Sequence, residues 1–412
     1  IQEDKDALIA FLSQPNVRFT QSEKVREFEK QWSEWVGVKH SVFINSGASG
    51  NYIMASIMKE IKGKGEVIVP PVGWVSDVAP LVNLGMVPVF VDVNMESLSI
   101  TVENIKNAIN ENTVGITLVH ALGFNAVNEE LIKLAKDNDL FLIEDCCESH
   151  GAKYNGRRVG SFGDVSNFSF YFGHHMTTIE GGMVCTNDDE IFQYAKMFRS
   201  HGMTREASQE TKDFYSEKYP DLNPLFTFAV PGYNMRSCEL NAVVGLSQIK
   251  RLDSNIERRV ENLETWLNHL NSKRYFVEYN TKGNSNFSLP LILREPDKNK
   301  FEAVCDLLEK ENIEFRKGTA GGGNQSRQPY LEKHKYRING KLVNADHIHD
   351  YGLYIGNHTD LTCDKIEYIC NKINNTSIPI NKLLFAKIEK AISTFDEYEK
   401  NLFMLYYESG MT

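Results

Sequence analysis

The sequence predicts an α/β fold in which helices cover both faces of a largely parallel sheet. Short apolar segments alternate with helical patterns over the first part of the chain, as expected for a sheet built from strand–helix–strand units. The chain has 412 residues, of which 42% are hydrophobic. It is therefore long enough for a large domain with a full core and a smaller second domain.

One helix and five strands can be placed from the spacing of apolar residues. Residues 22–36 put Val25, Phe28, Trp32 and Trp35 on one helical face, and Gly37 is a typical helix stop. Short apolar segments follow at 40–44, 67–69, 89–93, 115–119 and 140–143, with helical patterns between them. In open sheets of this kind, ligands bind at the carboxyl ends of the strands.

Composition excludes several classes of partner. The formal net charge is −10, which argues against binding of nucleic acid or of an anionic membrane surface. Because no apolar stretch approaches about 18 residues and no signal-peptide pattern opens the chain, we expect no membrane segment and a cytoplasmic location. The seven cysteines are scattered, which is typical of reduced thiols in the cytosol.

A Gly/Ser turn directly follows the first predicted strand and opens a helix. It runs from Ser46 to Asn51, and the backbone amides near Ala48 together with the Ser49 hydroxyl are suited to hold a phosphate. A turn of this composition can equally be simple punctuation before a helix. Asn51 places a polar side chain in the first turns of this helix, so the start of the helix is predicted to pack differently from one with an apolar residue there.

Two further candidates lie at strand ends. Asp145 ends the apolar segment 140–143 as part of an acidic pair, where a carboxylate can pair with a protonated ring nitrogen or can merely cap a helix. Trp74 follows the segment 67–69 and offers a flat apolar surface for a ring, although tryptophan is usually a core residue.

The run 166–188 is the most specific feature of the chain. It contains Phe168, Ser169 and Phe170, then His174, then a Glu-Gly-Gly turn at 180–182. The run resembles the cofactor-lysine segment of the DegT/DnrJ/EryC1/StrS family of sugar aminotransferases, which use pyridoxal phosphate. In that family the position of His174 is a lysine that binds the cofactor covalently, and imidazole cannot form that bond.

The resemblance implies a fold-type I pyridoxal-phosphate fold and a set of site residues. It implies that Asp145 pairs with the pyridine nitrogen, that Trp74 stacks on the ring, and that Glu148 lies near the ring hydroxyl or the reacting carbon. Ala48, Ser49 and Ser169 would bind the cofactor phosphate. The segment 231–236 resembles the family's G-Y-N-x-R motif, so Asn234 is expected to reach the cofactor of the neighbouring subunit in a homodimer.

His174 is the predicted catalytic residue. It is adjacent to His175, and such a pair could instead bind a metal, but no third ligand lies at a suitable spacing. We therefore expect no metal and assign proton transfer to His174, because that position aligns with the lysine. Some related enzymes hold an iron–sulfur cluster through four cysteines, but residues 186–232 contain none, so no cluster is expected.

A histidine at this position is typical of one subgroup of the family, the sugar-nucleotide 3-dehydratases. The segments 323–329, 344–346 and 352–358 resemble the C-terminal domain of its GDP-4-keto-6-deoxymannose members. The resemblance implies that L-glutamate converts pyridoxal phosphate to pyridoxamine phosphate. The hydroxyl at carbon 3 of a nucleotide-linked 4-keto-6-deoxy sugar then leaves, and ammonia is released. Two alternatives stay open, an aminotransferase that uses a base other than lysine and a catalytically silent regulator that binds the cofactor.

The predicted organisation has three parts. Residues 1–250 form the large cofactor-binding domain and 251–375 a small α+β domain. Residues 376–412 depart from the family pattern and predict an amphipathic helix through the spacing of Leu384, Ile388, Ile392 and Phe395. We expect this helix to cover the body of the protein, and a partner site is the alternative.

Overall fold

The structure is a computed structural model that describes residues 1–376. The predicted helix at 376–412 therefore lies outside the described residues, apart from its first position. Within residues 1–376, none of the helices combines the length and the apolar character that crossing a lipid bilayer would require.

The strands follow the predicted pattern at the start of the chain and add several that local periodicity did not indicate. In chain order they are β1 (His40–Ile44), β2 (Glu66–Val69), β3 (Val87–Val91), β4 (Thr113–Val119), β5 (Phe141–Asp145), β6 (Lys153–Tyr154), β7 (Arg157–Arg158), β8 (Val165–Ser169), β9 (Gly182–Thr186), β10 (Ser288–Ile292), β11 (Phe315–Lys317), β12 (Arg337–Asn339) and β13 (Gly352–Gly356).

Eight strands form the large sheet in the order β1-β9-β8-β5-β4-β2-β3-β12. Strand β9 runs antiparallel to both of its neighbours, and the other pairs are parallel. The predicted α/β class is thus confirmed, with all five predicted strands in this sheet. Their carboxyl ends gather the turns after β1, β2 and β5 along one edge.

Helices cover the sheet. They are α1 (Gln2–Leu12), α2 (Glu23–Val36), α3 (Gly47–Lys62), α4 (Ala79–Asn83), α5 (Val102–Ala108), α6 (Glu129–Asp137), α7 (Asp189–Arg199), α8 (Gln209–Lys218), α9 (Glu239–Gln248), α10 (Leu252–His269), α11 (Lys298–Lys310), α12 (Thr319–Gly322), α13 (Val343–Tyr351) and α14 (Cys363–Asn374). Helix α2 ends where predicted, because Gly37 adopts a left-handed conformation with φ of 86°.

The C-terminal part of the chain contributes to two sheets. Strands β10, β13 and β11 form a small antiparallel sheet of their own. Strand β12 instead pairs in parallel with β3 at the edge of the large sheet, and Arg337 binds Glu66 with an N···O distance of 2.6 Å. The small sheet is therefore tied to the large one through the segment that follows β11.

An aromatic cluster under β8 holds the most specific motif in place. Phe168 and Phe170 pack against Trp32 with ring centroids 5.2 and 4.8 Å apart, and all three side chains are buried. Because side chains alternate along a strand, Ser169 between them points to the opposite face of the sheet. The Phe-Ser-Phe pattern thus anchors the strand with two rings and presents one hydroxyl.

Candidate active site

The start of helix α3 forms a cradle of small polar groups. The Ser46 hydroxyl caps the helix by accepting the Ser49 N–H at 3.1 Å, and the two hydroxyl oxygens lie 2.9 Å apart. Ala48 is exposed and Ser49 is half-buried, so this first turn is accessible from outside the protein. A helix N-terminus with free amides and hydroxyls is suited to hold a phosphate.

Ser169 lies directly against this helix start. A Cβ atom added to Gly47 would lie 2.6 Å from the Ser169 Cβ and 3.0 Å from its Oγ, closer than such atoms approach. Gly47 therefore allows the end of β8 to approach the start of α3. The three phosphate-binding candidates, Ala48, Ser49 and Ser169, are brought together by this contact.

Both oxygens of the Asp145 carboxylate are fixed by neighbours. The Cys147 N–H donates to Oδ1 at 2.9 Å, and the Asn51 side chain donates to Oδ2 at 2.7 Å. Asn51 in turn accepts a hydrogen bond from Asn167 at 2.9 Å. Asn51 therefore orients the carboxylate of Asp145, the predicted partner of the ring nitrogen. The sequence did not suggest this role for Asn51.

A second buried carboxyl, Asp77, stands beside Asp145 and was missed by sequence analysis. Its Oδ1 accepts from Asn51 at 3.2 Å and its Oδ2 from the Trp74 N–H at 2.9 Å. Burial raises the pKa of Asp77 well above its usual range, and the charges of Asp145 and Glu148 add to this. Burial and the neighbouring negative charges thus favour the protonated form of Asp77. Nothing in the local pattern of residues 74–78 signals this neighbour.

Trp74 lies at the surface of the site, with 51% of its area exposed. Its indole packs on Gly321, where an added Cβ would lie 2.2 Å from the ring. The same loop is fixed to the strand end by Gln325, whose side chain donates to the Gly73 carbonyl at 2.9 Å. The glycine loop of the C-terminal part therefore supports the indole from one side, and its other surface stays free.

Glu148 is a third carboxyl of the site, and its charge interacts with that of Asp145. Its Oε2 accepts the N–H of Leu122 at 2.6 Å, and Leu122 has a left-handed backbone with φ of 53°. Such a conformation is costly for a branched residue and is held here by the surrounding contacts. Burial raises the pKa of Glu148 to about 8, and the charge of Asp145 adds to the shift while the Leu122 N–H opposes it.

The two adjacent histidines have different surroundings. His175 is buried, with Nε2 3.0 Å from both the carbonyl oxygen and the hydroxyl of Ser285. His174 is half-buried, and its ring packs on Phe287 with centroids 5.6 Å apart. Burial lowers the pKa of His174 to about 4, against the opposing effect of the Asp145 charge. The His174 imidazole is therefore neutral at physiological pH and lies within electrostatic reach of Asp145.

Asn234 is placed apart from these groups. It is exposed, and its Oδ1 accepts from Arg236 at 3.1 Å. The next residue is tied to the end of β1, because the Asn45 N–H donates to the Met235 carbonyl at 3.0 Å. Within the described residues, Asn234 has no hydrogen bond to any other predicted site residue.

One buried group of potential metal ligands occurs in residues 1–376, formed by His120, Glu144 and Cys146. Its carboxylate is already occupied. Glu144 accepts N–H groups from Gly160 at 2.9 Å and from Phe162 and Gly163 at 2.7 and 2.6 Å, and His120 lies 3.2 Å away. These contacts make Glu144 a structural anchor for the loop before β8.

The site has the features that a phosphorylated pyridine ring needs. The accessible start of α3 can hold a phosphate, and the exposed indole of Trp74 can stack on a ring. Asp145 is an oriented carboxylate at a strand end. The fold is that of the fold-type I pyridoxal-phosphate enzymes.

The chain belongs to the DegT/DnrJ/EryC1/StrS aminotransferase family, whose profile matches residues 2–374. A GDP-4-keto-6-deoxy-D-mannose 3-dehydratase from Yersinia pseudotuberculosis is 33% identical over 360 residues, which cover 86% of this chain and 91% of that protein.

Two solved structures are similar over 90% of this chain and 97% of their own, both at 29% identity. One is a GDP-4-keto-6-deoxymannose-3-dehydratase with a trapped PLP-glutamate geminal diamine, with a TM-score of 0.83. The other is a histidine-to-asparagine variant of such an enzyme with bound GDP-perosamine, with a TM-score of 0.82. The family and the fold that the sequence predicted are thus confirmed.

Proposed function

We propose that the protein is a 3-dehydratase that acts on a nucleotide-linked 4-keto-6-deoxy sugar, a GDP-linked hexose or heptose. It uses pyridoxal phosphate and pyridoxamine phosphate as cofactor and L-glutamate as amino donor, and it releases ammonia. The observation that carries the proposal is His174, a neutral imidazole at the position of the family's cofactor-binding lysine. The similarity to named 3-dehydratases over most of the chain supports it.

The cofactor would be held at both ends. The start of α3, with Ala48 and Ser49, and the Ser169 hydroxyl would bind the phosphate, while Asp145 would pair with the ring nitrogen. Trp74 would cover one face of the ring, and Glu148 would lie at the ring hydroxyl or the reacting carbon. When bound, the cofactor supplies a ring that withdraws electrons from the carbon next to its amine.

His174 would then move the proton. A base must be unprotonated to accept a proton, and the low pKa of His174 keeps its imidazole in that form at neutral pH. Unlike lysine, imidazole has no amine that could recapture the cofactor covalently. The amine would therefore be lost as ammonia, which distinguishes dehydration from amino transfer.

We further propose a cytoplasmic homodimer in which Asn234 of the partner subunit completes the phosphate site. Large apolar side chains that are mostly exposed support an interface: Phe172 is 71% exposed, and Leu225, Phe226 and Phe228 are 57–60% exposed. The division into a large domain at 1–250 and a small one at 251–375 is proposed as well. It is supported by the separate sheet of β10, β11 and β13.

The test is incubation of the purified protein with pyridoxal phosphate, L-glutamate and a panel of GDP- and CDP-linked 4-keto-6-deoxy sugars. Mass spectrometry should find a product that has lost the oxygen at carbon 3, together with one equivalent of ammonia. A nucleotide-linked amino sugar as the main product would identify an aminotransferase. Binding of the cofactor without turnover of any sugar would identify a silent regulator.

The assignment of the histidine has a matched control in its neighbour. In His174→Asn the cofactor should still bind, but turnover should fall by roughly a hundredfold or more because proton transfer is lost. Loss of activity in His175→Asn together with normal dehydration in His174→Asn would show that the wrong histidine was chosen.

A further inference from the structure

Arg259 on α10 is a buried cation under the active site. Only 6% of its surface is exposed, and its two terminal nitrogens donate to the backbone carbonyls of Phe287 at 3.0 Å and His174 at 3.3 Å. Among residues 1–376 no carboxylate oxygen lies within 4.0 Å of its guanidinium. The side chain is thus held by two neutral carbonyls and forms no ion pair in the part of the chain that the structure describes.

A buried charge without a counter-ion is costly. Its removal from water carries a penalty of several kcal/mol, and hydrogen bonds to neutral carbonyls offset only part of it. Burial lowers the pKa of Arg259 to about 10, so the group still carries its charge at physiological pH. A methionine or leucine would fill the same space at lower cost, which suggests that the charge and the donors serve the site.

The two carbonyls that Arg259 binds belong to two residues whose rings pack on each other. One belongs to His174 itself, and the other belongs to Phe287, whose ring packs on that imidazole. Asn357 supports the arrangement by donating to the carbonyls of Arg259 at 2.9 Å and Asn286 at 2.8 Å. The guanidinium therefore links the backbone of His174 to the backbone of Phe287, the residue on which the imidazole packs.

Four kinds of charged or titratable group face His174: the Asp145 carboxylate, the Arg259 guanidinium, the imidazoles of His150 and His175, and the Tyr171 phenol, whose ring centroid lies 6.4 Å from that of His174. Asp145 favours the imidazolium form, whereas Arg259 disfavours it. His150 and His175 pack nearby, and burial lowers the pKa of both so that they stay neutral. Arg259 is therefore the cation that balances Asp145 at this position.

We propose that Arg259 is a positioning residue for His174: its hydrogen bonds fix the backbone that carries the imidazole, and its charge disfavours protonation of that imidazole. This role rests on the proposed function only in that His174 is the base. The geometry separates its two contributions, because lysine retains the charge but cannot bind both carbonyls, whereas glutamine removes the charge.

The experiment compares Arg259→Gln and Arg259→Lys, with Arg258→Gln as a control on the same helix. Arg258 forms its own ion pair with Glu261 at 3.0 Å, apart from His174. The His174 ring is followed by carbon-13 NMR of cofactor-free protein between pH 3 and 7, a range that spans its pKa of about 4, and its signal is identified by its loss in His174→Asn. The pH profile of ammonia release is measured on the loaded enzyme.

In Arg259→Gln, protonation of His174 should occur about one pH unit higher, and the acid limb of turnover should move with it. In Arg259→Lys, the titration of His174 should stay near that of the wild type. Plateau turnover should fall about tenfold because the backbone of His174 is less well fixed. Arg258→Gln should match the wild type in both measurements.

An unchanged His174 titration in Arg259→Gln would overturn the charge role, and wild-type turnover in Arg259→Lys would overturn the positioning role. If Arg259→Gln does not fold, Arg259→Lys still decides the positioning role, because any loss of turnover there must come with a folded protein and an unchanged titration. The NMR measurement needs neither substrate nor cofactor, so it tests Arg259 even if wild-type protein releases no ammonia and the proposed function fails.

Discussion

Replacing Glu148 by glutamine should remove a pH-dependent destabilisation of the cofactor-free protein. Glutamine has nearly the same shape, and its side-chain oxygen can still accept the Leu122 N–H that Glu148 accepts at 2.6 Å. The substitution therefore removes the charge and keeps the hydrogen bond. Any change in pH dependence then reports the ionisation of Glu148.

The sign and size follow from the pKa. Burial raises the pKa of Glu148 from 4.5 to about 8, so between these values the folded protein binds a proton that the unfolded chain has lost. The contribution of Glu148 to the free energy of unfolding is therefore highest below about pH 4.5. It falls as the pH rises toward 8, by about 1.4 kcal/mol per pH unit. From pH 6.5 to 8 this amounts to about 1–2 kcal/mol. That window lies above the range in which the buried histidines contribute.

The assay is thermal unfolding of cofactor-free protein at pH 6.5 and pH 8, at equal ionic strength and scan rate. The wild type should lose about 1–2 °C more in Tm over this interval than Glu148→Gln does. Glu295→Gln, which changes an exposed side chain, should behave like the wild type. An equal loss of Tm in the wild type and Glu148→Gln would refute the inference that Glu148 is protonated in the folded protein.

Three other predictions follow from the site. In His174→Lys an amine returns to the cofactor, so borohydride should attach the cofactor covalently to the peptide that contains residue 174. Ammonia release by this variant should fall sharply. In the wild type the cofactor should stay removable by denaturation. Anaerobic iron chelation should leave turnover unchanged, and its loss would show that a cluster or metal is needed. In Gly47→Ala the new methyl group would lie 2.6 Å from the Ser169 Cβ, so affinity for pyridoxal phosphate, measured by fluorescence titration, should fall about tenfold or more; unchanged affinity would mean that the cradle does not bind the phosphate.

The parts of the fold that were predicted from the sequence are those with a local signal. Strands β1 to β5 are continuous apolar segments buried on both faces, and α2 has one apolar stripe and a glycine stop. The pairing of β12 with β3 had no such signal, because Arg337–Asn339 is a short polar segment whose partner lies far away in the chain. Register and neighbours depend on contacts between distant segments, which periodicity does not report.

The candidate site divides in the same way. Ala48, Ser49, Trp74, Asp145, Glu148, Ser169 and His174 lie in motifs and could be named in advance, and their roles stay predictions. Asn51 could be recognised as unusual, but its hydrogen bond to Asp145 depends on the packing of α3 against β5. Asp77 and Arg259 carry no motif at all. They act through residues distant in sequence, and only the folded chain brings them together.

The pairing of β12 with β3 has a consequence for how the protein is made. During synthesis the chain first produces β1 to β9, and β3 then has an open edge with unpaired backbone groups until residues 337–339 have left the ribosome. Open edges of this kind favour aggregation, and pairing across such a long separation slows folding. A fragment cut near residue 250 would keep that edge exposed permanently, so the large sheet is completed only in a chain that extends through residue 339.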